Sequence, residues 1–118
     1  MPACINKGSY LFVELDEQYS LNLFITTIHE VAEKCKREKL DKILIDITKV
    51  TGNPNMIDRY EIGVLIAKVW GTKIKAATIA KKSTINYLGE DVAINRGARF
   101  KIFSEIDPAL EWLDVREK

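Results

Sequence analysis

Short apolar segments alternate with amphipathic segments from residue 40 to the end of the chain, and this alternation restricts the fold more than any other feature of the sequence. The segments "KILIDI" and "IKAATIA" are apolar runs with β-branched residues, a pattern typical of strands that are covered on both faces. "RFKIF" supplies a last strand. Strand–helix–strand units in one sheet form right-handed crossovers between parallel strands. The sequence therefore predicts an α/β fold with a mostly parallel sheet.

The N-terminal segment adds an antiparallel edge to this sheet. "YLFVEL", residues 10–15, alternates between two faces, with Leu11 and Val13 on the same face. "ACIN" precedes it across a Gly8–Ser9 turn, which predicts a β-hairpin. The complete order is β-β-α-β-α-β-α-β-α, which makes a mixed, mostly parallel sheet with about four helices. No linker or repeat interrupts this order, and we expect a single domain over residues 1–118.

Capping residues and apolar periodicity predict the first two helices. Ser20 precedes an apolar stripe that recurs every three or four residues and includes Cys35, which predicts a long first helix with a serine cap. The second helix has two candidate starts. Either Asp58 caps it and forms a capping box with Glu61, or Asn55 caps it and Asp58 occupies the third helical position.

The last two helices are delimited in the same way. In "STINYLGEDVAINRG", either Ser83 or Thr84 is the predicted N-cap, and Gly97 is the predicted left-handed stop. Asp107 is the predicted N-cap of the final helix. Pro108 then takes the first helical position, where a missing N–H costs nothing.

Charge, histidine and cysteine content exclude several classes of protein. Lys and Arg number 18 against 17 Asp and Glu, a net charge of +1, so no strong field favours nucleic acid or an anionic membrane. Two cysteines at unrelated spacing and one histidine argue against a disulfide framework, a zinc site and a Ser-His-Asp triad. Neither a signal peptide nor a membrane span is evident. We expect a cytoplasmic protein that needs no metal or cofactor and binds no nucleic acid.

Several segments, taken in order, resemble a known family. They are "ILIDITKVTG" with "MIDRYEIGVLIAKVW", then "KAATIA", "INRG", "KIF" and "ALEWL". This order resembles the STAS domain, the fold of bacterial anti-sigma-factor antagonists, and is similar in particular to its SpoIIAA-like branch, which is linked to the Sec14 lipid-transfer fold. The resemblance covers roughly residues 8 to 115. It implies a regulatory or protein-interaction module, or a small-ligand or lipid carrier of Sec14-like type.

The chain departs from the classical STAS pattern at the start of the second helix. Classical members carry an Asp-Ser pair there, and a partner kinase phosphorylates the serine. Asp58 holds the acidic position in this chain, but Arg59 and Tyr60 stand where the serine would be. We therefore expect no classical phosphoserine switch. Since Arg and Tyr often anchor interfaces, Asp58, Arg59 and Tyr60 are predicted to contact a partner protein.

One acidic residue ends the strand before this helix. Asp46 lies at the edge of the sheet where the loops after parallel strands meet and where ligands bind in this fold class. A Mg²⁺ ligand role would need a second carboxylate, such as Asp58 or Asp107. The simpler prediction is that Asp46 accepts hydrogen bonds from the loop and orders it.

A second candidate site follows the alanine-rich strand. Lys81 and Lys82 precede Ser83 and Thr84 at a predicted helix N-terminus. Free N–H groups and the helix dipole at such a position bind anions, so these four residues are predicted to bind a phosphate or a lipid headgroup.

The sequence thus predicts a non-catalytic STAS-like module that binds an unidentified partner protein through Asp58, Arg59 and Tyr60. The alternative is a carrier that holds a small ligand or lipid near Lys81 and Lys82. An exposed hairpin edge also permits a homodimer, because an unpaired strand can join a second copy.

Overall fold

Five strands form one sheet in the computed structural model, which describes residues 3–85 and 87–115. The strands lie in the order β1-β2-β3-β4-β5; β1 is antiparallel to β2, and every other neighbouring pair is parallel. The predicted mixed sheet with an N-terminal hairpin is confirmed. The strands are β1 Ala3–Asn6, β2 Leu11–Glu14, β3 Lys42–Asp46, β4 Lys75–Ile79 and β5 Arg99–Phe103.

Four α-helices accompany this sheet within the described residues, as predicted, together with one short 3₁₀ turn at Lys82–Thr84. No helix in the described ranges is both long and apolar enough to cross a bilayer. The helices are α1 Leu21–Glu38, α2 Met56–Val69, α3 Leu88–Asn95 and α4 Ile106–Leu113.

Three of the helices share one face of the sheet. The strands lie side by side in chain order, so crossovers of one hand place α1, α2 and α3 on the same face. Val31 of α1, Ile66 of α2 and Ala93 of α3 form one buried cluster with Ile43 and Phe100 of the sheet. This cluster is the larger core, and the candidate site is built on its outer end.

The opposite face is covered by α4. Leu110 and Leu113 of α4 pack against Tyr10, Leu44 and Ala77 in a second buried cluster. Successive strand residues point to opposite faces, so Leu44 belongs to this cluster while its neighbours in β3 belong to the larger one.

The first long helix follows the prediction. Ser20 Oγ accepts a hydrogen bond from Leu23 N at 3.0 Å, which satisfies one of the free N–H groups at the start of α1. Cys35 is buried on the apolar stripe, as expected. The Trp70 indole N–H donates to the Ile28 carbonyl at 3.0 Å, so the C-terminal end of α2 is fixed against the middle of α1.

The structure decides between the two predicted N-caps of α2. Asn55 is the N-cap, and its Oδ1 accepts a hydrogen bond from Asp58 N at 2.8 Å. The capping box between Asp58 and Glu61 is therefore wrong. Asp58 occupies the third helical position, where its charge favours the helix dipole.

Two predicted helix starts are also wrong. The third helix begins at Leu88, because Thr84 Oγ1 donates to the Lys81 carbonyl at 2.8 Å, a local bond that supports a turn in place of a helix. The final helix begins at Ile106 with Glu105 as its N-cap, so the predicted cap Asp107 and the following proline lie inside the first turn. Gly97 has φ +100 after α3, which confirms the predicted left-handed stop.

Helices α2 and α3 cross closely at two glycines. A Cβ atom built on Gly63 would lie 2.5 Å from the Gly89 carbonyl oxygen and 3.0 Å from Val92 Cβ. A Cβ atom on Gly89 would lie 3.1 Å from the Arg59 carbonyl oxygen. Gly63 must therefore lack a side chain for the two backbones to approach this closely, and a side chain at Gly89 would make a tight contact with the Arg59 carbonyl.

Replacing Gly63 by Ala tests this contact. Helix propensity alone would stabilise the variant by about 1 kcal/mol. Overpacking against a backbone oxygen costs about 1–3 kcal/mol, and we expect this cost to win and to lower the midpoint of urea unfolding. Glu61→Ala, an exposed change on the same helix, is the control and should shift stability by less than about 0.5 kcal/mol. A Gly63→Ala protein as stable as the wild type would contradict the close crossing.

Candidate functional site

Three connections meet at the carboxyl edge of the parallel strands. Asp46, Ile79 and Phe103 are register partners at the ends of β3, β4 and β5, so the loops that follow them start side by side. In open α/β sheets ligands bind at this edge. Each predicted site residue lies in or beside these loops.

Asp46 orders the loop after β3. Its Oδ1 accepts hydrogen bonds from Thr48 N at 2.9 Å and from Thr48 Oγ1 at 2.6 Å. Because residues alternate along β3, Asp46 shares the face of Leu44, which is the face covered by α4. This carboxylate therefore serves the turn and points away from the side on which α1, α2 and α3 pack.

Asp58 joins α2 to the segment before α1. Its Oδ2 accepts a hydrogen bond from the Tyr19 hydroxyl at 2.9 Å. Burial, followed by this hydrogen bond and the negative charge of Asp58, raises the pKa of Tyr19 well above its usual range. Asp58 thus has a structural partner and a cap position, both of which fix the first turn of α2.

Arg59 and Tyr60 have different surroundings although they are adjacent. Arg59 is half-buried, and its Nε donates to the Pro54 carbonyl at 3.1 Å across the preceding loop. Tyr60 is exposed and reaches α3, where Arg96 Nη2 donates to its hydroxyl at 3.0 Å. The Arg96 guanidinium also lies 5.9 Å from the Tyr60 ring centre.

Two further exposed apolar residues lie beside Tyr60. Met56 and Ile57 are the first residues of α2, and the prediction based on Asp58, Arg59 and Tyr60 missed them. The sequence carried a signal, because α2 has apolar residues on all sides and not on a single stripe. We call Met56, Ile57 and Tyr60 together the α2 apolar surface.

The four residues of the predicted anion site do not face the same space. Lys81 and Thr84 line a cavity under the helices, whereas Lys82 faces a shallow groove near Phe103, and Ser83 is exposed. A 3₁₀ turn of three residues stands where the helix N-terminus was predicted. Anion binding by these residues stays a prediction, without the helix dipole on which it depended.

The cavity lies between the sheet and helices α1, α2 and α3 and has a volume of about 130 Å³. Its inner end is lined by buried residues, including Ile28, Trp70 and Phe100. Its outer end reaches exposed residues, among them Asn53 and Lys81. The cavity therefore opens toward solvent at the carboxyl edge of the sheet.

Three buried polar side chains line this mostly apolar space, and one of them, Thr27, donates its hydroxyl to the Leu23 carbonyl at 2.7 Å within α1. Thr78 and Glu90 are each 7% exposed. Glu90 Oε1 accepts a hydrogen bond from Ile102 N at 3.1 Å, which ties α3 to the outer edge of β5. Burial raises the pKa of the Glu90 carboxyl, and the hydrogen bond from Ile102 N lowers it in part. The nearby charge of Asp91 raises the pKa further, and that of Lys101 lowers it.

No pattern in the sequence distinguishes Glu90 from a solvated glutamate. A helix that started at Ser83 or Thr84 would place Ile85, Leu88 and Val92 on its inward face. The observed helix starts later, and its buried residues are Glu90 and Ala93. A glutamate in the first turn of a short helix is usually a solvated residue that favours the dipole, so only the packing reveals its burial.

Within the described residues, no group of three or more His, Cys, Asp or Glu could hold a metal ion. No protein-family model matches the chain, and the curated proteins include no significant match. The STAS resemblance therefore stays a prediction.

Replacing Tyr19 by Phe removes the hydroxyl that binds Asp58. We expect a loss of about 1 kcal/mol in the free energy of unfolding, the usual contribution of one hydrogen bond, whereas Tyr87→Phe on the surface should change it little. The raised pKa stabilises the fold fully below about pH 10, the unfolded value, and this stabilisation falls as the pH rises further. A tyrosinate difference titration between wild type and Tyr19→Phe that showed ionisation near pH 10 would contradict the assignment.

Replacing Glu90 by Gln removes a buried charge and keeps an oxygen for Ile102 N. A carboxyl whose pKa is raised on folding contributes stability below its unfolded pKa, and that stability is lost as the pH rises through the folded pKa. We therefore expect a higher Tm for Glu90→Gln than for the wild type at pH 7, with the difference shrinking at acidic pH. Glu33→Gln, the same change at an exposed residue of α1, should give no such gain. A less stable Glu90→Gln protein at pH 7 would show that hydrogen bonding outweighs burial.

Proposed function

We propose that this chain is a non-catalytic, STAS-like regulatory module that binds a partner protein through the α2 apolar surface. The observation that carries the proposal is the exposure of three large apolar side chains in one helical turn. Met56 is 56% exposed, Ile57 is 71% exposed and Tyr60 is 44% exposed. The partner is expected to present apolar side chains that cover this turn.

The spacing of the three residues makes a patch. Met56 and Tyr60 are four residues apart on α2, and Ile57 and Tyr60 are three apart, so their side chains are neighbours on the helix surface. Single exposed apolar residues are ordinary on a protein surface, but a contiguous group is more often an interaction site. Tyr and Met are both enriched in protein interfaces.

The same turn is held in place before any partner binds. Asn55 caps α2, Tyr19 donates to Asp58, and Arg96 donates to the Tyr60 hydroxyl. Side chains that are already ordered lose less conformational freedom on association, so more of the contact energy contributes to affinity. In this proposal Tyr60 contacts the partner, while Asp58 and Arg59 position the turn.

The hydrogen bonds of the acidic residues support a binding role over a catalytic one. Asp46 accepts from Thr48, and Asp58 accepts from Tyr19. Both carboxylates thus have roles in loop and helix structure. They lie on different elements, and Asp46 faces the α4 side of the sheet.

A second candidate function is the binding of a small molecule, and the cavity favours it. Pockets for drug-sized ligands measure about 300–1,000 Å³. The volume of about 130 Å³ found here suits a smaller apolar molecule and not the two chains of a membrane lipid. The cavity takes in Lys81 and Thr84 of the predicted anion site but leaves Lys82 outside.

Photo-crosslinking tests the docking surface. A photoreactive phenylalanine analogue at Ile57 should capture a partner protein, while the same analogue at Ile106, an exposed residue at the start of α4, should not. The captured protein is then purified for titration calorimetry. We expect the double variant Ile57→Glu, Tyr60→Ala to weaken binding by more than about 30-fold, the effect of losing an interface hot spot.

The control variant is Ile106→Glu, which places the same charge on another exposed isoleucine and should leave the affinity unchanged. Unchanged affinity in the double variant would refute the proposed surface. Crosslinking from Ile57 to a second copy of this chain alone, with a dimer seen by analytical ultracentrifugation, would replace the partner protein by a homodimer.

A further inference from the structure

We propose that the cavity under α1, α2 and α3 binds a small apolar molecule that carries one hydrogen-bond donor, with Glu90 as the acceptor and Thr78 beside it. This inference specifies the second candidate function and does not depend on partner docking. It assigns a ligand chemistry to two buried side chains that the docking surface does not use.

The size of the cavity limits the apolar part of the ligand. A cavity of about 150 Å³ lined by apolar side chains is known to hold benzene in an engineered protein. The cavity here, at about 130 Å³, is similar in volume and opens toward solvent, so a substituted six-membered ring fits its scale. Ile28, Ile66 and Ile102 line it, and their methyl groups would contact such a ring.

Glu90 has hydrogen-bonding capacity that the protein does not use. Its Oε1 accepts from Ile102 N, and no described residue donates to its Oε2. Among the described residues, every side-chain oxygen or nitrogen that is fully buried has a hydrogen-bond partner. Because Oε2 has no such partner, it is not fully buried, although Glu90 as a whole is only 7% exposed. Since Glu90 lines the cavity, we infer that this surface faces the cavity.

Thr78 adds a second polar group next to the first. Thr78 is the register partner of Ile102 across β4 and β5, and Ile102 N is the donor to Glu90. The two side chains therefore flank the same residue and line the same cavity. No described residue donates to or accepts from the Thr78 hydroxyl. A few polar groups in an apolar pocket are the usual means by which a pocket orients its ligand.

These groups favour a donor over an anion. A carboxylate accepts hydrogen bonds when ionised, so Glu90 would bind a hydroxyl or an ammonium group and repel a second carboxylate. Two cations line the cavity: Lys81 is exposed at the rim, where solvent screens its charge, and half-buried Arg59 donates its Nε to the Pro54 carbonyl. Glu90 is more deeply buried than either cation, so we expect it to have the greater influence on selectivity.

Four probes of similar size test this chemistry with the full chain. Benzylamine, benzyl alcohol, toluene and benzoate share one aromatic ring and differ in the polar group. Isoleucine methyl signals are followed by NMR, with Ile28, Ile66 and Ile102 inside the cavity and Ile5 and Ile106 as reporters outside it. We expect benzylamine and benzyl alcohol to shift the inside signals and to bind about tenfold more tightly than toluene, with benzoate the weakest.

Two pairs of variants locate the binding. Glu90→Gln should weaken benzylamine about tenfold, while Asp91→Asn, an exposed neighbour on α3, should not. Ile62→Phe should fill the cavity and abolish binding of all four probes. Val64→Phe adds the same ring on α2 away from the cavity lining and should leave binding unchanged.

Several results would overturn the proposal. Equal affinity for toluene and benzyl alcohol would mean that Glu90 and Thr78 do not select the ligand. Tighter binding of benzoate, lost in Lys81→Gln but kept in Lys82→Gln, would show an anion site at the rim instead. Absence of any shift in the inside methyl signals would rule out a ligand of this size, whatever the crosslinking at Ile57 shows.

Discussion

The close crossing of α2 and α3 is the contact on which both proposed sites depend. Gly63 allows the two backbones to approach at a distance that a side chain there would not permit, and Gly89 is in similarly close reach of the Arg59 carbonyl. On the outer side of this crossing, Arg96 of the α3 end reaches Tyr60 and completes the α2 apolar surface. On the sheet side, Glu90 follows Gly89 and lines the cavity. One helix–helix contact thus sets the geometry of an exterior surface and an interior space.

The first turn of α2 separates these two regions. Met56 and Ile57 point outward, whereas Arg59 lines the cavity and donates to the loop at Pro54. Asp58 ties the same turn to Tyr19, which also lines the cavity. Asp58 and Arg59 therefore lie between the α2 apolar surface, which is a candidate docking surface, and the cavity, which is a candidate ligand site. Their hydrogen bonds, to Tyr19 and to the Pro54 carbonyl, fix the first turn of α2.

Local sequence signals succeeded where a residue and its partner are close in the chain. Ser20 caps α1, and Gly97 adopts the left-handed conformation after α3, because each depends on a backbone group a few residues away. Local sequence signals failed where one side chain could form either of two local hydrogen bonds. Thr84 could cap a helix or bond the Lys81 carbonyl in a turn, and the two options differ by a single hydrogen bond. At the start of α2 the sequence left Asn55 and Asp58 as alternative caps, and the structure has Asn55.

The sequence by itself determined the α/β class, the hairpin and the parallel order, because apolar periodicity records which faces of each element are buried. Only the tertiary structure decided that Asp46 lies on the α4 side of the sheet, and that Arg59 and Glu90 line a cavity. The reason is physical: a side chain's surroundings depend on contacts between elements distant in sequence. The crossing at Gly63 and the start of α3 fix those contacts, and neither is encoded in a local pattern.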